Sequence, residues 1–220
     1  MYNLPYFKES DIQTAIEFMR QHPFIYLSGV DAENKPVATQ VPVFIDEKDA
    51  RPDDPAGRGK FFLTGHIMRN TDHHKAFEQN PNVLAVFTGP HVYVSATWYD
   101  DPHQASTWNY MSVHAKGMIR FGDGDDLAAI LKRLTLHYEN NNKESTTVFD
   151  NLSSAYREPL MKAIVSFEIE VTAIDNVFKL SQNRNEKSYH NIIEKLEQQG
   201  GDGKLIAEEM KKRTSQLFSK

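Results

Sequence analysis

Three short stretches of this sequence gather side chains able to hold a ligand. Gly65-His66-Ile67-Met68-Arg69-Asn70 stands where a strand pattern gives way to a helix pattern. Backbone N–H groups at a helix start, joined by a guanidinium, suit a phosphate, and the same residues also fit a plain surface turn. Lys179-Leu180-Ser181-Gln182-Asn183-Arg184 supplies two cations and three hydrogen-bonding side chains directly after a strong strand pattern. That set suits an anionic or heteroaromatic ligand, or a polar loop that caps the next helix. Thr39-Gln40 puts small polar groups into an otherwise apolar strand, where they face either a ligand or water. The histidines His66, His73, His74, His91, His103 and His114 show no metal-ligand spacing such as HExxH, so no metal is expected. A Gly-rich phosphate loop, a GxSxG elbow and a paired-carboxylate signature are all missing. Groups that hold ligands, without an evident nucleophile, favour a cofactor-binding protein over a hydrolase.

A fourth stretch, Gly89–Gly117, carries both tryptophans, Trp98 and Trp108, with Tyr93, Tyr99 and Tyr110. Two β-like runs, His91–Tyr99 and Thr107–Arg120, flank a loop with Asp100, Asp101, Pro102 and His103. Val92, Val94 and Ala96 alternate with Tyr93, Ser95 and Thr97 at the period of a strand. Aromatics ending two neighbouring strands could wall a flat ligand; equally, they could fill a barrel core.

Composition narrows the partners. At a net charge of −5 the chain of 220 residues has no basic footprint for nucleic acid. It has no cysteine, which excludes disulfides, Cys-ligated zinc, iron–sulfur clusters and a thiol nucleophile. The N-terminal MYNLPYFKESD lacks an apolar signal core, and no run approaches a membrane span. A soluble cytoplasmic protein is expected.

These residues need strands and short helices to position them. Met1–Phe7 reads as a docked aromatic arm, and Ser10 or Asp11 caps a helix through about Gln21. Strands follow at Phe24–Val30, Pro36–Ile45 and Lys60–Gly65, with Pro42 placing the second at an edge or bulge. Asp46–Gly59 reads as a charged hairpin-tip insertion. A helix at Thr71–Gln79 precedes strands at Val83–Thr88, His91–Tyr99 and Thr107–Arg120. Then come a helix at Asp125–Glu139, a shorter helical patch around Pro159, and a clean strand at Ile164–Ile174. Tyr189–Gln198 and Lys204–Phe218 form two amphipathic helices broken at Gly200–Gly203. Short strands at this spacing suggest a barrel or sandwich rather than βαβ units.

The assembled motifs resemble the PaiB family of FMN-binding split barrels, within the pyridoxamine-phosphate-oxidase-like superfamily. The carriers are MYNLPYF at the N-terminus, Ala38–Val43, Leu63–Asn70, Phe87–Ser95, Trp98-Tyr99, Thr107–Tyr110 and Lys179–Arg184, collinear from residue 1 to about 196. GPHxYxS, TWNY and KLSQNR in that order are specific. Gln40 stands where the family usually has histidine. The resemblance implies an α+β fold, a six-stranded antiparallel split β-barrel with peripheral helices and a helical C-terminus. It implies a barrel domain over residues 1–184 and a C-terminal extension over 185–220. It also implies a homodimer with FMN in clefts at the subunit interface. Cofactor contacts then fall to Thr39, Gln40, Thr64, His66, Arg69, Asn70, Trp108, Asn109, Lys179, Gln182 and Arg184, with Trp108 and Asn109 reaching the partner's flavin. Two activities fit: a flavin-dependent oxidoreductase acting on a small molecule, or a negative transcriptional regulator with or without flavin. A cofactor-free dimeric scaffold is the third reading.

Overall fold

The computed structural model describes residues 1–48, 60–101 and 103–219. The hairpin tip expected at 46–59 falls outside them from residue 49 onward; Asp46 and Glu47 belong to a strand. The chain is α+β, with seven strands and six α-helices among the described residues. Strands are β1 Phe24–Val30, β2 Pro36–Pro42, β3 Phe44–Lys48, β4 Lys60–Met68, β5 Asn82–Val94, β6 Thr107–Phe121 and β7 Ile164–Lys179. Helices are α1 Ile12–Gln21, α2 Asp72–Gln79, α3 Gly124–Tyr138, α4 Ser154–Ala163, α5 Glu186–Gln199 and α6 Gly201–Phe218. The strand order is β2-β1-β5-β6-β7-β4-β3. Two compact units divide the chain: Pro23–Val86 with Ala115–Ile174, and Met1–His22 with Phe87–His114 and Asp175–Lys220. The strands β5, β6 and β7 contribute residues to both.

The first unit holds β1 to β4. The expected single strand Pro36–Ile45 is divided and the two expected at Val83–Thr88 and His91–Tyr99 join into β5, so the described residues hold seven strands where the resemblance implies six. Pro42 has no N–H for a ladder, and Val43 instead donates to the Pro23 carbonyl at 2.9 Å and is buried. The chain thereby leaves β2, paired antiparallel with β1, and enters β3, paired antiparallel with β4. Since β2 and β3 are the two edges of the strand order, one residue ties the edges of a curled sheet together. The inner face carries Leu27, Leu63, Ile67, Val165, Phe167 and Ile169, all buried. Pro159 does not interrupt α4, where the sequence suggests a shorter patch.

In the second unit, β5 runs unbroken through Gly89-Pro90, a pair that reads as a break between two strands. The Gly89 backbone lies against the Phe18 ring of α1, and a Cβ there would come within 2.6 Å of the ring. Close approach, rather than a turn, is what this glycine permits. Asp11 caps α1 by accepting from the Gln13 and Thr14 amides. The N-terminal arm is docked: Phe7 is buried, Lys8 pairs with Asp175 at 2.6 Å, and Glu9 pairs with Arg213 at 3.0 Å. Gly200 and Gly201 take positive φ of 69° and 52° between α5 and α6, and Tyr189 Oη donates to the Met210 carbonyl across that helix pair at 2.9 Å.

Candidate functional site

Thr39, Gln40, Thr64, His66, Arg69 and Asn70 lie in the Pro23–Val86 and Ala115–Ile174 unit. Thr39 and Gln40 face Leu27 and Tyr26 across the β1–β2 ladder, Thr39 half-buried and Gln40 exposed. Antiparallel pairing puts Thr64 opposite Glu168 and His66 opposite Ser166. Directly opposed residues share one face of a sheet, so these four form a polar strip on the side away from Leu63 and Ile67. Thr64 Oγ1 donates to Asp46 at 2.9 Å, and Arg133 clamps the same carboxylate at 2.8 Å. Burial alone would raise the Asp46 carboxyl. The hydrogen bonds from Arg133 and Thr64 outweigh it and hold the group below the usual carboxylate range.

His66 Nδ1 and Ser166 Oγ are buried, with no partner among the described residues. Desolvation lowers the His66 pKa and favours its neutral ring. At the end of β4, Arg69 spends its Nε on the Ile164 carbonyl at 2.9 Å. Its backbone N–H donates to Ala163 at 2.8 Å. The first bond fixes the stem of the side chain and the second the backbone that carries it. Asn70 turns the chain with a φ of 63°, a conformation Asn tolerates, and Thr71 then caps α2. The side chains of Arg69 and Asn70 thus stand at a strand-to-helix junction, as the sequence indicates.

Trp108, Asn109, Lys179, Gln182 and Arg184 lie in the other unit. Here the TWNY and KLSQNR motifs, some 70 residues apart, form one bonded cluster. Lys179 Nζ donates to Thr107 Oγ1 and, at 2.6 Å, to the Trp108 carbonyl, beside the Phe7 ring. Burial, and then the Arg184 charge, lowers its pKa. Asn109 is fully buried; its Oδ1 accepts from Ser181 Oγ at 3.0 Å, and its amide points at Met210 Sδ, 3.6 Å away. Ser181 adopts a φ of 61°. Gln182 closes that turn by accepting from Leu180 N and donating to Phe178 O. The polar ends of Lys179, Asn109 and Gln182 are therefore engaged inside the protein, where the bonds of Lys179 and Asn109 fasten β6 to the end of β7 and those of Gln182 close the turn that follows.

What this fastening presents is Trp108. Its ring is 53% exposed, with Tyr93 and His91 at centroid distances of 5.9 and 6.2 Å. Arg184 lies over the Tyr99 ring at 4.1 Å and donates to Gln104, while its Nε and the Tyr99 hydroxyl are buried without a partner among the described residues. Tyr99, Gln104, Thr107 and Ser181 are the members sequence reasoning did not assign. Tyr99, Thr107 and Ser181 carried a signal, by lying inside the motifs Trp98-Tyr99, TWNY and KLSQNR; Gln104 carried none. Within this unit, a flat exposed indole and an arginine stacked on Tyr99 are groups of the kind that meet an anionic heteroaromatic. Among the described residues no group of three His, Asp or Glu is placed to hold a metal, and no helix is long and apolar enough to cross a membrane.

Residues 1–173 match the family model described as "Putative FMN-binding domain". Protease synthase and sporulation protein PAI 2 of Bacillus subtilis is 33% identical over 211 residues, covering 96% of each chain. Among solved structures, the flavocytochrome Anf3 from Azotobacter vinelandii is similar at a TM-score of 0.55 and 12% identity, over 86% of this chain and 78% of that one. The FAD and heme binding protein from Mycobacterium smegmatis is similar at 0.51 and 13% identity, over 78% and 73%. These two likenesses establish a shared fold.

Proposed function

The chain belongs to the family described as a putative FMN-binding domain, and on that premise we propose that it is a cytoplasmic FMN-binding protein working as a homodimer. The observation that carries this reading is the exposed Trp108 ring, held out by the Lys179 and Asn109 bonds. A flat aromatic surface of this kind suits an isoalloxazine. Arg69 is assigned to the phosphate and His66 Nδ1 and Arg184 to the polar edge of the flavin. Thr39, Gln40, Thr64 and Asn70 complete the ligand-facing set. Residues 1–184 form the flavin-binding domain and 185–220 its helical extension. A second copy of the chain completes each cleft.

The bound flavin would supply electron transfer to a small-molecule substrate, and the protein contributes orientation and charge. The absorption spectrum of freshly purified protein, followed by calorimetric titration with FMN, FAD and heme, tests the reading. Saturable FMN binding at one per protomer is expected; a colourless protein that takes up no flavin refutes it. Arg69→Ala should weaken FMN about ten- to a hundredfold, the loss of one charge-assisted phosphate contact. Unchanged affinity removes Arg69 from the site.

A second reading, a negative regulator of gene expression, is favoured by the relative PAI 2, which is named for protease synthesis and sporulation. A gel shift with genomic fragments decides it. DNA binding through the lysines of α6 must weaken as salt rises.

A further inference from the structure

A cavity of about 590 Å³ opens in the unit that contains α1, α6 and the adjoining strand ends. That volume falls within the range of small-molecule sites, and none of the residues assigned above to the flavin lines it. Its floor is apolar. Phe18, Met111 and Phe178 are buried there, with the two phenylalanine rings 5.2 Å apart. The His22 ring stacks on Phe18 at 4.3 Å and extends the aromatic wall, which Gly89 admits by having no side chain.

The rim is rich in acceptors. His22 Nδ1 is 2.8 Å from the Phe18 carbonyl. A carbonyl only accepts, so Nδ1 carries the proton and Nε2 of the neutral ring is an acceptor. Asp11, Glu17 and Glu209 line the cavity against a single cation among the described residues, Lys212. Glu209 is already satisfied by Lys212 and Arg213. Asp11 and Glu17 are paired with no lysine or arginine among the described residues, and Glu17 accepts from the Gln21 amide at 3.1 Å. Such a rim repels a phosphate and attracts a cation.

We propose that this cavity binds a small organic amine with a flat apolar ring, its ring on Phe18 and Phe178 and its ammonium at Glu17. The site is separate from the proposed flavin site, and its test does not depend on flavin. Tryptamine and its anionic counterpart indole-3-propionate are titrated into the full-length protein by calorimetry at low salt. Tryptamine is expected to bind, with indole-3-propionate at least about tenfold weaker, because the two differ in the sign of the charge at the rim. Glu17→Gln should weaken tryptamine about three- to tenfold, and Leu205→Trp, at the mouth of the cavity, should remove binding by filling it. Near-ultraviolet circular dichroism establishes that each variant is folded; if Leu205→Trp is not, Glu17→Gln alone decides. Equal affinity for the two indoles, no binding of either, or a Glu17→Gln protein that binds tryptamine as before would overturn the proposal. Displacement of tryptamine by FMN would overturn the claim that the sites are separate.

Discussion

Removing the Ser181 hydroxyl tests whether the two motifs are fastened as described. Ser181→Ala keeps the backbone and nearly all of the side-chain volume, and deletes the donor to Asn109 Oδ1 at 3.0 Å. Asn109 is fully buried, so its carbonyl is left without the solvent that could replace the bond. A buried acceptor stranded in this way costs about 1–3 kcal/mol. With a urea m-value of about 3 kcal/mol/M for a chain of this size, the midpoint falls by roughly 0.3–1 M. Asn109→Leu, of similar volume, strands the Ser181 hydroxyl instead. The double variant removes both partners, which approaches neutrality when shape is conserved, so it should be less destabilised than the sum of the singles by about 1 kcal/mol or more. Tryptophan fluorescence is the apt probe, because Trp98 and Trp108 both lie in the same unit as the pair. Additivity within about 0.5 kcal/mol would refute the coupling.

Acid should loosen the protein through His66 and His74. Burial lowers both pKa values, so the unfolded chain takes up protons first as pH falls through about 6.5. Stability is present above that point and lost below it, by at most about 1.4 kcal/mol per histidine per pH unit. Urea midpoints between pH 7.5 and 5 should drop, and a His66→Gln/His74→Gln variant should show a flatter profile over the same range. Gly89→Ala, whose Cβ would meet the Phe18 ring at 2.6 Å, should cost about 1–3 kcal/mol as overpacking and shift the thermal midpoint accordingly. It should also weaken tryptamine, because the Phe18–His22 wall moves.

Much of the scaffold is legible in the sequence, for local reasons. The cap at Asp11, the positive-φ break at Gly200 and the alternation of β7 each depend on a few adjacent residues, and each appears where the spacing indicates. What is not legible depends on contacts distant in sequence. Gly89-Pro90 carries a turn signal, yet the strand continues because Phe18 needs the space above it. Pro42 indicates an edge or bulge; that the chain crosses to the opposite edge at Val43 follows from the Pro23 carbonyl that receives its N–H. The site divides in the same way. Arg69 and Asn70 stand at the junction their sequence suggests, whereas the bonds of Lys179 and Asn109 could not be read from either motif alone. Nothing in the order of residues distinguishes a lysine that meets a ligand from one that holds a strand.

The one-residue passage at Val43 has a consequence for how the chain is made. On either side of it lie two local ladders, β1 with β2 and β3 with β4, whose partners are close in sequence and form early. The free side of β4, however, pairs with β7, and Phe62 meets Glu170. At ribosomal rates of 5–20 residues per second, the 107 residues between them take roughly 5–20 s to emerge. For that time the nascent chain carries an open strand edge. Lys60 at its start, and Lys48 on the strand beside it, put charge on this waiting edge, the feature that discourages pairing with a neighbouring chain.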